Sequence, residues 1–74
     1  MNTEDKQSGG ACFLSPRQTC VLHQIGQGLA NKQIAYNLGI AEATVKMHVS
    51  ALLRAFQAQN RVQVLLKAKE KGLI

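Results

Sequence analysis

The stretch NKQIAYNLGIAEATVKMHVSALLRAF, residues 31–56, decides the fold. Residues 32–38 predict a two-turn helix with Ile34, Ala35 and Leu38 on its inner face. Asn31 is its expected cap, and Gly39 its expected stop. Two turns do not persist alone in water, so packing must hold this helix. Beyond "GIA" a longer helix is predicted over about residues 42–56. Val45, Val49, Leu52, Leu53 and Phe56 recur at i, i+4, i+7, i+8 and i+11 and define one buried stripe. Ala43, Lys46, Met47, Ser50 and Arg54 follow the same spacing on the opposite face, with Thr44, His48 and Ala51 on the border. That outer face carries few charges for a solvated surface.

A short helix, a glycine-containing turn and a longer helix make a helix-turn-helix, here about residues 31–50. In that motif the second helix lies in the major groove of DNA and the first crosses the phosphate backbone. Sparse charge then has a reason, because base edges ask for hydrogen bonds and methyl contacts. Lys46 can reach guanine O6 and N7, Ser50 can pair with several edges, and Met47 can touch a thymine methyl. Phosphates need donors at the rim. The helix start at Asn31, with Lys32, Thr44, His48, Arg54 and Arg61, is placed to supply them. Each residue also has a plainer reading: Met47 as filler, His48 as a satisfied border residue, Lys46 and Arg54 as solvated charges.

Two further helices flank the motif. "SPRQ" at 15–18 starts a helix of about residues 16–28, with Ser15 as N-cap, Pro16 at the first position and Gln18 closing a capping box. Leu22, Ile25 and Leu29 form its apolar stripe, flanked by Gln18 and Val21, while Cys20 and His23 point away. "QAQN" at 57–60 is a loop, and Asn60 caps a fourth helix of about residues 61–71, closed by Gly72. Val62, Leu65, Leu66 and Lys69 lie on one side of it, and Val64, Ala68 and Lys71 on another. The fold class is therefore all-α, with four helices in residues 14–74. Residues 1–13 are polar with Gly9-Gly10 near their end, and read as a flexible tail or linker.

Composition narrows the function classes. The chain has 74 residues, one small domain. Its net charge is +5, and residues 1–13 hold two acids and one Lys, so the remainder carries +6 with Glu42 and Glu70 its only acids. A sequence pI of about 9.7 is an electrostatic footprint for a polyanion. Cys12 and Cys20 form no C-x-x-C pair, and no His/Cys cluster has metal-ligand spacing, so free thiols and no metal or cofactor are expected. The polar N-terminus offers no secretion signal and no apolar run is long enough to span a membrane, so the chain reads as cytoplasmic. Paired carboxylates are absent, as is a nucleophile beside a base, which argues against an enzyme.

The blocks "LSPRQ", "GLANKQIAYNLGIAEATVKMHVS" and "NRVQ" resemble, without a gap between them, the LuxR/GerE-type DNA-binding domain of bacterial transcription regulators. The resemblance covers residues 14–74. It implies a four-helix domain whose third helix reads the groove and whose fourth commonly pairs two subunits. It implies base contact from Lys46, Met47 and Ser50, and phosphate contact from Lys32, Thr44 and Arg61. Val64 and Ala68, with Lys71 at the edge, are the expected dimer seam, although Val64 has the alternative of burial within its own domain. The chain departs from the family at Gln18, Cys20 and Gln33, where acids are usual, at Ala41, where a Ser cap is usual, and near Gln57, where Gly or Asn is usual. None of these is a groove contact, so the departures bear on stability.

The expected function is sequence-specific binding of double-stranded DNA for bacterial transcription regulation, as a homodimer. "ATVKMHVSALLRA" looks most like the NarL/FixJ response-regulator branch, in which the chain would be the effector domain of a two-component regulator. A stand-alone small regulator is the alternative. A protein-interaction module that binds an acidic partner, such as RNA polymerase or a receiver domain, is a further one.

Overall fold

The computed structural model describes residues 14–74, so the predicted tail over 1–13 lies outside the described residues. Four helices follow in order: α1 (Pro16–Gly26), α2 (Asn31–Leu38), α3 (Glu42–Phe56) and α4 (Arg61–Glu70). Among the described residues there is no strand.

α1 starts as its sequence predicts. Ser15 Oγ accepts from the Gln18 N–H at 3.1 Å, and Gln18 Oε1 accepts from the Ser15 N–H at 3.0 Å. Asn60 likewise accepts from the Gln63 N–H at 3.0 Å to open α4. The start of α2 differs from expectation. Its N-cap is Ala30, and Asn31 is already helical. The reason is a contact distant in sequence: Asn31 Oδ1 accepts from the Arg61 guanidinium, which also reaches the Leu29 carbonyl at 3.5 Å. The oxygen that would have capped α2 faces α4 instead. Gln33 compensates in part, its Oε1 accepting from the Ala30 N–H at 2.9 Å.

All four helices end alike. After α1, the Leu29 N–H bonds back to the Gln24 carbonyl and the Gly28 N–H to Ile25. The same pair of bonds follows α2 at Ile40 and Gly39, α3 at Ala58 and Gln57, and α4 at Leu73 and Gly72. This is the Schellman arrangement, which needs one left-handed residue. Gly28, Gly39 and Gly72 hold it at φ 84°, 68° and 75°. Gln57 adopts it at φ 53° with a side chain in place, the chain's only non-glycine residue to do so among those described. The motif also corrects two predicted ends. α1 stops at Gly26 rather than Gly28, and Lys71 lies just past α4 rather than inside it.

The core is aliphatic except for Phe56, in keeping with the scarcity of aromatic residues. Leu14, Val21, Leu22, Ile25, Ile34, Ala35, Val45, Leu52, Phe56, Val64 and Ala68 are buried. α3 is central and packs on α1, α2 and α4. The residues after each left-handed position, Leu29, Ile40, Ala58 and Leu73, pack against this core.

α4 corrects the expected dimer seam. Val64 and Ala68 are both 0% exposed, sealed in the domain's own core, so neither presents surface to a partner. Apolar residues lie on several sides of α4, and its rotation is set by tertiary bonds. Arg61 reaches the start of α2, while Lys67 Nζ donates to the Phe56 and Gln57 carbonyls at 3.1 Å each. Residues 61, 64 and 68 share one helical side, which those bonds turn inward. Val62 and Leu66, at 64% and 57% exposure, are left outside.

Candidate nucleic-acid interface

α3 divides as its periodicity predicts. Val45, Leu52 and Phe56 are buried, with Val49 and Leu53 half-buried beside them. Ala43, Lys46, Met47, Ser50 and Arg54 are all exposed on the far side. Lys46, Met47, Ser50 and Arg54 line one shallow depression, so they form a single surface rather than separate projections. Met47 is 69% exposed, which removes its reading as core filler. Thr44, His48 and Ala51 are half-buried at the border.

Both motif helices begin without a side-chain cap, on Ala30 and Ala41. The first backbone N–H groups of a helix have no acceptor within it, and the helix dipole adds partial positive charge there. Lys32 is exposed in the first turn of α2. Glu42, in the first turn of α3, sits favourably for that dipole.

Not every expected rim residue is free to act. Asn31 and Arg61 are brought together, and both are half-buried. The guanidinium has five N–H donors, of which the Asn31 and Leu29 contacts use two. Lys71 is exposed just past α4. Cys20 and His23 are exposed on α1.

Sequence reasoning missed two residues. Tyr36 is 87% exposed and lines a shallow apolar depression with Leu29, Lys32, Gln33 and Asn37. The signal was present, since Ile34, Ala35 and Leu38 facing inward turn Tyr36 outward. Lys67 binds the last carbonyls of α3, a role no local pattern shows. Among the described residues no cluster of His, Cys, Asp and Glu converges, and no helix is long and apolar enough to cross a membrane.

Residues 13–68 match the family model described as "Bacterial regulatory proteins, luxR family". The chain is 56% identical over 55 residues to a glycerol metabolism activator of Pseudomonas putida, covering 74% of this chain and 25% of that protein. It is 53% identical over 53 residues to the two-component response regulator PprB of Pseudomonas aeruginosa, covering 72% and 19%. It is 51% identical over 49 residues to the nitrate/nitrite response regulator protein NarP of Escherichia coli, covering 66% and 23%. The chain thus spans a quarter or less of each of these three curated relatives. No solved structure gives a significant match.

Proposed function

Because this chain belongs to the luxR family of bacterial regulatory proteins, we propose that it binds double-stranded DNA sequence-specifically with α3 in the major groove. Membership itself makes it a DNA-binding helix-turn-helix unit of transcription regulators, in a family that is not enzymatic. The observation that carries the finer reading is the outer face of α3, five exposed side chains of which only Lys46 and Arg54 are charged.

On this reading Lys46, Met47 and Ser50 contact base edges. Lys32, Thr44, His48 and Arg54 contact phosphates at the rim, with the backbone N–H of Asn31 beside them. Arg61 holds the start of α2 and retains donors for a phosphate at the same edge. Two subunits pair through α4, using exposed Val62 and Leu66, with Lys71 at the margin. A two-fold dimer then meets two half-sites about 34 Å apart.

PprB and NarP are named response regulators, which supports an effector role downstream of a receiver domain in the bacterial cytoplasm. RNA polymerase is the natural second partner of such an effector. The matched glycerol metabolism activator carries no such name, so the shared segment speaks most directly for the DNA-binding end.

Titration of a selected duplex and a random one at several salt concentrations tests the division of roles. Lys32→Ala lowers the slope of log K against log salt by about one unit on both duplexes. Lys46→Ala costs about 1–3 kcal/mol on the selected duplex alone. Equal weakening of both duplexes by both variants would show that α3 does not read bases.

A further inference from the structure

The groove-facing side chains of α3 share a chemical bias. Lys46 and Arg54 carry only N–H donors. Ala43 and Met47 offer apolar surface, Met47 with a sulfur that accepts only weakly. Ser50 has one hydroxyl, the only ordinary acceptor on that face. Residues 42–56 contain no Asn, Gln or Asp. The single carboxylate, Glu42, is exposed in the first turn of α3, in line with Val49 and Leu53 seven and eleven residues on, and so sits at the edge of the groove face. Thr44 and His48 are half-buried on the opposite border.

Base edges in the major groove differ in what they demand. Guanine presents the acceptors N7 and O6, and thymine presents O4 and a methyl group. Adenine N6 and cytosine N4 are donors and need an acceptor from the protein. A face made mostly of donors and apolar groups, with the Ser50 hydroxyl its one ordinary acceptor, matches the first set and offers little to the second.

We infer that α3 reads each recognised base pair from its keto base, through guanine N7 and O6 and the thymine methyl and O4, and leaves the amino groups of adenine and cytosine unread. This rests on the reading that α3 enters the groove. Lys46 takes a guanine, Met47 with Ala43 takes a thymine methyl, Ser50 adds a hydrogen bond to either, and Arg54 at the end of the row holds a phosphate.

The test removes single atoms from DNA. The full chain is used to select duplexes from a random pool, and the tightest is rebuilt with one altered base at a time. Uracil for thymine removes a methyl, 7-deazaguanine removes N7, purine for adenine removes N6, and 2-pyrimidinone for cytosine removes N4. At one or more pairs per half-site, loss of a methyl should weaken binding about fourfold. Loss of a guanine N7 should weaken it about fivefold or more. Loss of an amino group should change it by less than about twofold, since no contact to the protein is removed. Met47→Ala should abolish the response to uracil, and Lys46→Ala the response to 7-deazaguanine, each without loss of the folded state by circular dichroism. A larger effect from removing N6 or N4 overturns the inference while leaving groove reading by α3 intact. Selection of no preferred sequence, or indifference of the selected site to Lys46→Ala, Met47→Ala and Ser50→Ala alike, overturns both.

Discussion

Ser15 and Asn60 each place a side-chain oxygen on a backbone N–H of the helix they open, whereas α2 and α3 open on Ala30 and Ala41. The flanking helices are thus closed at their starts by local chemistry, and the two motif helices are not. What holds α2 and α3 is packing: Ile34, Val45 and Leu52 are each 0% exposed. The contrast shows a division of labour. The flanking helices satisfy their own starts, while α2 and α3 leave first-turn N–H groups without a side-chain acceptor, which on the proposed reading could meet a phosphate oxygen.

Four substitutions can break or sharpen that contrast. The largest effect is expected at Ile34 in the eight-residue α2. Ile34→Ala should lower unfolding free energy by about 2–5 kcal/mol, measured by urea denaturation, because packing is what keeps α2 formed. A cost well below that range would mean α2 stands on local interactions after all. Next, the caps should respond in opposite directions. Ser15→Ala should lose about 1 kcal/mol and Ala41→Ser should gain about 1 kcal/mol. If Ala41→Ser also weakens binding to every duplex, the open start of α3 serves DNA directly. If it leaves binding untouched, the open start of α3 takes no part in DNA contact. Smallest is Gln57→Gly, which relieves a left-handed residue worth about 1–2 kcal/mol but adds unfolded-state freedom. A net gain of about 0.5–1 kcal/mol in thermal unfolding is expected.

Much of this was legible in the sequence, and the failures share one cause. The Ser15 box, the Asn60 cap and the two faces of α3 rest on residues within a few positions of each other, and they stand in the structure. Asn31 was misread as a cap because its preferred local role loses to Arg61, thirty positions away in the chain. The α4 seam was misread because Val62, Val64, Leu65, Leu66 and Ala68 give no single stripe, so local pattern cannot choose which side packs. Arg61 and Lys67 choose it, and both do so through bonds to other elements. The outer face of α3 was readable for a different reason: an amphipathic helix with one clear stripe leaves only one side for function.

The connections between helices also bear on how this unit can change. Gly28 and Leu29 both bond back to α1, and the Ala30 N–H is held by Gln33. Gly39 and Ile40 bond back to α2, and the Ala41 carbonyl accepts from Thr44 and Val45. Gln57 and Ala58 bond back to α3, the Gln59 N–H is held by Gln63 Oε1 at 2.7 Å, and Asn60 caps α4. Every one of these connecting residues has a backbone group or cap already engaged, so there is no slack in which to absorb an insertion or deletion. An inserted or deleted residue in any of the three connections must break at least one of these bonds. Side chains on the outer face of α3, by contrast, take part in none of these bonds, so they can be exchanged without disturbing the connections.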